Sequence, residues 1–198
     1  MVKLQEIEEF LKSHLSKKRY IHSLGTREEA VRLAQHYNAD FETAEKAGIA
    51  GLVHDATKDM TYPEHLKVCE DSGIILSAVE KSEEKLLHAI TAAEIAQRIF
   101  FICDEEIISA VRYHTTGKAN MGFLDKILFL ADYIEPNREF DGVEEIRKRA
   151  YVNLDKAMLC AIDMTISELL KKKALIHGDT IEGRNHLIEE ERKLEWQR

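Results

Sequence analysis

The sequence predicts an all-α fold, a single-domain helix bundle, and three observations predict it. Apolar residues recur at helical spacing along nearly all of the 198 residues. Helix formers (Ala, Glu, Leu, Lys, Ile) dominate, with only two prolines, Pro63 and Pro136, and nine glycines. No long stretch alternates apolar and polar residues as a half-buried strand does. At 44% apolar and 32% charged residues, the chain has the composition of an ordinary globule and the length for a sizeable core.

The elements follow in order. Leu4, Ile7, Phe10 and Leu11 mark a first helix, and Ile21, Leu24, Val31 and Leu33 a second over 17–37. Asp40 suits the N-cap of a third, 41–55, whose alanines and glycines let a neighbour approach closely. Thr61 and Pro63 open a short helix to 71, since proline is tolerated in a first turn. Ser82 is expected to cap a helix through 100, and Asp104 another that ends near YHTTGK. FLDKILFLADYI, 123–134, stops before Pro136. Asp141 opens a short helix, Asn153 caps a long one to 172, and the tail from Thr180 forms the last. With no repeat, low-complexity segment or linker, 1–198 is expected to be one domain.

The net charge of −8 argues against a nonspecific nucleic-acid binder, which needs a basic surface to displace counterions. It leaves room for a small anionic ligand in a local basic pocket. Cys69, Cys103 and Cys160 are odd in number and far apart, so a disulfide framework or cysteine zinc site is not expected, and reduced thiols suit a cytoplasmic location. The amphipathic, charged start is unlike a signal peptide, and no run approaches the ~20 apolar residues of a spanning helix. No membrane association is expected.

Nine histidines occur. His14, His36, His65 and His186 have polar neighbours and are expected to be surface or satisfied core residues. GIAGLVHDATKDM, 48–60, is different, because an apolar run ends in His54 and Asp55. A buried unpaired carboxylate costs several kcal/mol, so a salt bridge, a cap or a metal must neutralise it. Adjacent helical residues point about 100° apart and face one ion only near a helix end, which ATKD supplies. Imidazole nitrogen and carboxylate oxygen suit iron, manganese or zinc. Asp132 sits between apolar residues in ILFLADYIEP, either in a buried salt bridge to Arg138 or Lys126 or at a metal. His22, His88 and His114 complete an order His, His-Asp, His, His, Asp, each on or ending a different helix, and a bundle can converge such side chains on one point.

This order resembles the HD-domain superfamily of metal-dependent phosphohydrolases. HDATKDM and LADYIEPNR look like its branch of bacterial symmetrical bis(nucleosyl)-tetraphosphatases, which split diadenosine tetraphosphate into two ADP. RYIHSLGT, RYHTTGK and LIHGDTIEGRN also fit, so the resemblance spans 18–188. The guanosine tetraphosphate hydrolases carry a Glu-Asp pair where this chain has Lys58-Asp59, and the Gly-Tyr-Pro element of cyclic-dinucleotide phosphodiesterases does not occur. One departure is Gly178, where the family often has proline.

The resemblance implies an HD core over 18–135, with helices of 141–198 completing a nucleotide pocket. It implies one iron on His22, His54, Asp55 and Asp132, with manganese, zinc or cobalt able to substitute. Asp55, Lys58, His88 and His114 are the expected catalytic residues. Lys58 and Arg138 would offset phosphate charge; without the resemblance both read as solvated surface charges. His88 and His114 either contact phosphate or bind a second metal bridged by Asp55. Nucleotide contacts are expected at Ile21, Asp55, Ala56, Thr57, Lys58, His88, His114, Thr115 and Arg138, and at Leu175, Ile176, His177, Gly178, Asp179, Thr180 and Asn185. By pattern alone, 174–185 is a plain connection capped by Asp179 or Thr180. The implied substrate is a small dinucleoside polyphosphate. The competing readings are another HD-type nucleotide phosphohydrolase (a nucleotidase or cyclic-dinucleotide phosphodiesterase) and a non-catalytic nucleotide-binding module. The amphipathic ends offer a surface for a homodimer.

Overall fold

The computed structural model describes residues 4–196, and they form eleven α-helices and one 3₁₀ turn, with no strand among the described residues. Residues 1–3 and 197–198, the ends of the expected domain, lie outside them. The helices are α1 (Leu4–His14), α2 (Lys17–His36), α3 (Phe41–Val53), α4 (Tyr62–Asp71), α5 (Ala78–Ser82), α6 (Leu87–Arg98), α7 (Glu105–Tyr113), α8 (Phe123–Ile134), α9 (Val143–Ala150), α10 (Leu154–Lys172) and α11 (Gly178–Trp196). No helix among the described residues is long and apolar enough to cross a membrane.

Helix α8 is apolar on nearly every side, so it takes the centre. Ile127, Leu128, Leu130, Ala131 and Ile134 are fully buried against α2, α3, α7, α9 and α10. The most extensive packing joins α2 to α3, and Gly51 sets its closeness. A Cβ there would stand 2.8 Å from Arg27 Cα and 2.9 Å from Arg27 N. Only glycine lets the two backbones touch, and the touching turns bring His22 beside His54.

The caps expected at Asp40, Asp104 and Asn153 accept from the Thr43, Ile107 and Lys156 amides at 2.8, 3.2 and 2.9 Å. Each such cap is worth about 1 kcal/mol. Three expected helix starts differ. Ser82 is the last residue of α5, not a cap: Ser77 and Glu80 close a capping box around α5, and α6 grows out of the 3₁₀ turn Glu84–Leu86. Ser77 has a glutamate three residues on, as the box needs, whereas Ser82 has Lys85. Helix α9 starts at Val143 from Gly142, not from Asp141, because that position takes φ +95° and a Cβ there would meet Met164 Cε at 2.7 Å. Helix α11 begins two residues before Thr180, whose side chain is buried in the first turn. All three cysteines are free.

Candidate metal centre

Five helix ends and faces meet around Asp55. His54 is the C-cap of α3, and its Nδ1 faces the Gly51 carbonyl at 2.8 Å. The chain then leaves the helix in tight turns, with Ala56 N bonded to Val53 O at 3.0 Å and Lys58 N to Asp55 O at 2.9 Å. This unwinding lets the adjacent His54 and Asp55 face one point. His22 comes from α2, Asp132 from the end of α8, His88 from the start of α6 and His114 from the C-cap of α7.

The distances divide into two linked groups. His22 Nε2 lies 2.9 Å from Asp132 Oδ1 and 3.3 Å from His54 Nε2, while Asp55 Oδ2 stands 3.7 Å from both rings. On the other side, Asp55 Oδ1 is 3.2 Å from His88 Nε2 and from Lys58 Nζ, and His88 Nε2 is 3.1 Å from His114 Nε2. His22, His54 and Asp132 offer ligand atoms within 4.8 Å of one another, and so do His54, Asp55 and His114. The structure thus brings together all six residues of the expected order.

The protonation pattern suits a cation. His54 is fully buried, which lowers its pKa and keeps it neutral. Burial pushes His88 down to about 4 against the pull of Asp55. Burial opposes ionisation of Asp55, but His54, His114, His88 and Lys58 hold its carboxyl well below the usual range. Burial also opposes ionisation of Asp132, and Arg138 with His22 and His54 outweighs it. His22 is raised: burial disfavours its charge, and its hydrogen bond to Asp132 prevails. The neutral imidazoles of His54 and His88 beside ionised carboxylates are in the form in which such groups bind metal, whereas His22 must give up its proton to do so.

Two further observations fit a metal. Asp55 Oδ1 is buried and, despite its ionic contacts, has no hydrogen bond. His88 and His114 direct Nδ1 at the Lys85 and Val111 carbonyls, both at 2.7 Å; the tautomer that donates there leaves Nε2 as an acceptor. Bare acceptors this close repel unless a cation stands near. Lys58 supplies one, donating to His88 Nε2 at 2.8 Å. The salt bridge weighed for Asp132 exists, to Arg138 and not Lys126, which pairs with Asp155.

The remaining expected residues are spread more widely. Thr115 lines a cavity of about 800 Å³ that reaches Asp132, and its buried hydroxyl has no partner. Arg138 lines this cavity and a second of about 900 Å³, which also includes Ile21 and His22. Ala56 is core, and the Thr57 hydroxyl donates to His88 O at 2.9 Å. Residues 175–180 and Asn185 line neither cavity. Leu175 N donates to Glu83 Oε1 at 3.4 Å, and His177 Nε2 is 3.7 Å from Glu80 Oε1. His65, expected to be bland from its polar neighbours, is buried and satisfied by Thr91 Oγ1 at 2.8 Å.

Two residues escaped the sequence reading. Glu135 is buried, its Oε1 3.1 Å from His22 Nδ1, while its Oε2 accepts from Asn137 N and Nδ2. Arg19 Nη1 is 3.7 Å from Asp55 Oδ2. The signal was there, since Glu135 follows Asp132, and Arg19 precedes His22, by the three residues that put side chains on one helix face.

The family model of the HD domain matches residues 19–137. A protein of Halalkalibacterium halodurans named symmetrical bis(5'-nucleosyl)-tetraphosphatase is 38% identical over 93% of this chain and 96% of its own length. One of the same name from Bacillus subtilis is 36% identical over 90% and 94%. A crystal structure from Clostridium acetobutylicum, described as a predicted HD superfamily hydrolase involved in NAD metabolism, is 43% identical, with a TM-score of 0.92 over 96% of this chain and 99% of that one.

Proposed function

We propose that this chain, which belongs to the HD-domain family, is a metal-dependent hydrolase that cleaves diadenosine tetraphosphate and related dinucleoside polyphosphates symmetrically, giving two ADP from the diadenosine substrate. The observation that carries the reading is the meeting of His22, His54, Asp55 and Asp132 beside two cations, Lys58 and Arg138. It agrees with the activity named for the similar proteins.

His22, His54, Asp55 and Asp132 would hold one ion, which we take to be iron, with manganese, zinc or cobalt accepted by the same donors. Such an ion, when bound, lowers the pKa of water toward neutrality and so makes hydroxide available to attack phosphorus. The Glu135 carboxylate holds His22 by its far nitrogen, fixing the ring's orientation. Lys58 and Arg138 stand where a phosphoryl group gains negative charge in the transition state. The bond from Lys58 to His88 keeps that ammonium turned inward. His114 leaves Nε2 free to take a proton and return it to a departing phosphate oxygen. With Lys58 already the cation between His88 and Asp55, one ion per chain is favoured over two.

The 800 Å³ cavity, with Phe129, Tyr133 and Phe140 for a base and the free Thr115 hydroxyl, would take a nucleotide. We extend the contacts to residues 175–180 and Asn185. Gly183 seats α11 against the Lys118 backbone, where a Cβ would lie 2.9 Å from its carbonyl oxygen, so this segment ends up near the turn after His114. In this reading residues 18–135 form the core and 141–198 complete the pocket of one domain. A cytoplasmic location fits the free cysteines, and a net charge of −8 fits a small-molecule substrate better than nucleic acid. A homodimer through the amphipathic ends is compatible with the activity.

Anaerobic purification, metal analysis and product chromatography on one sample test the reading. Iron near one equivalent and ADP as sole product support it; AMP plus ATP, or bound nucleotide without turnover, overturns it.

A further inference from the structure

A substrate cut at its midpoint has two equal halves, so the cutting centre needs room on both sides. The two cavities offer that room. One, of about 800 Å³, reaches the proposed metal ligand Asp132 and the neighbouring His114; the other, of about 900 Å³, reaches the ligand His22. Arg138 and Phe140 line both, so the cavities diverge from a shared wall beside the ligands.

The second cavity is basic on an acidic protein. Lys17, Lys18, Arg19 and Arg138 line it against two acids, Glu135 and Glu139. Glu135 is already engaged by His22 and Asn137. Lys17 and Lys18 are exposed and make no ion pair among the described residues, so the fold does not use their charge. Arg19 leans inward to Asp55 Oδ2, which leaves the two lysines as the unspent cations. Two apolar faces accompany them. Ile21 is 42% exposed, and Phe140 is 39% exposed with its ring held edge-on by Tyr133 at 5.2 Å.

We propose that the cavity at the start of α2 receives the second nucleoside diphosphate half of the substrate, with Lys17 and Lys18 on its phosphates and Phe140 and Ile21 against its base. The inference rests on the tetraphosphatase reading above and adds the second subsite to it. Each half then has its own compartment, and Arg138 stands between them, where the central phosphates pass.

The test uses metal-loaded protein, diadenosine tetraphosphate and ADP. Equilibrium dialysis should find two ADP per chain in the wild type and one in Lys17→Ala/Lys18→Ala. That double variant should keep its metal content and helical circular dichroism while its KM for diadenosine tetraphosphate rises about tenfold, the loss expected for two charge-assisted contacts at a solvated site. A single ADP per chain in the wild type, or a double variant with unaltered KM and stoichiometry, overturns the subsite. A wild type that releases no ADP from diadenosine tetraphosphate overturns the hydrolytic reading instead, and the dialysis still decides whether the second cavity takes a nucleoside diphosphate.

Discussion

The Nε2 atoms of His88 and His114 face each other at 3.1 Å, one ring anchored by Nδ1 to the Lys85 carbonyl in the turn before α6 and the other to the Val111 carbonyl of α7. In the tautomer that donates from Nδ1, two rings so arranged present lone pair to lone pair. The Lys58 ammonium, 2.8 Å from His88 Nε2, makes the arrangement tolerable. Lys58→Met should therefore do more than remove a surface charge. Turnover should fall roughly a hundredfold, the size of losing one preorganised transition-state donor. Metal at the proposed ligands His22, His54, Asp55 and Asp132 should stay. Parallel metal analysis and steady-state kinetics on the variant check both halves.

The proposed metal ligands predict the opposite pattern. His54→Ala or Asp132→Ala should lose bound metal along with activity, and a protein with unchanged metal content would refute the assignment. Glu135→Gln should fall between. The amide still packs beside Asn137 but no longer puts a carboxylate behind His22. Metal affinity should weaken about 10- to 100-fold, as with other partners of a ligating histidine. Competition with a chelator measures it without reference to turnover.

Gly51 ties fold to site. Gly51→Ala would place a methyl 2.8 Å from Arg27 Cα and 3.0 Å from Thr26 O, atoms of helix backbone that cannot swing aside. Helices α2 and α3 must separate, at about 1–3 kcal/mol. For a chain of this size the midpoint of thermal unfolding should drop by roughly 2–12 °C. His22 and His54 sit on the separated helices, so metal affinity should fall as well. Gly73→Ala is the control. Nothing lies within 4 Å of that position, although its φ of +67° carries some backbone strain.

Most of the bundle was legible because helices announce themselves locally. The spacing over 123–134 and the caps at Asp40, Asp104 and Asn153 need only neighbours in sequence. Ser82 misled because serine, judged alone, suits a cap. Reading three residues further distinguishes Ser77-x-x-Glu80 from Ser82-x-x-Lys85. The six converging residues were legible as an ordered set, and the HD step at a helix end was correctly anticipated. Glu135 and Arg19 were not, because what identifies them is the identity of their partner. Glu135 matters through His22, 113 residues away; its three-residue step from Asp132 is visible in the sequence, but the step does not say which side chain it meets. His65 meets its expectation as a satisfied core residue, its ring turned onto Thr91 although its neighbours in sequence are polar.

Acid should find a weak point away from the metal ligands. Glu80 closes the cap of α5 through Ser77 N at 2.8 Å and accepts from Arg112 Nη2 at 2.7 Å. Burial works to raise its pKa, but the bonds from Ser77 and the Arg112 guanidinium outweigh it, and the net shift is downward from 4.5. A carboxyl depressed in the folded state contributes stability that is fully present above its unfolded pKa. That stability is lost as pH falls through the folded value. Arg112→Leu should thus lower the urea midpoint at pH 7 by an amount worth about 1–3 kcal/mol, the range for a hydrogen bond to a charged group. As pH falls through the depressed folded value of Glu80, the wild type loses this contribution and the gap should narrow. Urea titrations of both proteins over a series descending from pH 7 into acid check the sign, and a gap that widens in acid would contradict the assigned pair. The same bond governs the 175–180 segment, since His177 Nε2 stands 3.7 Å from the Glu80 oxygen that Arg112 holds. Arg112→Leu should accordingly raise the KM for diadenosine tetraphosphate if that segment touches nucleotide.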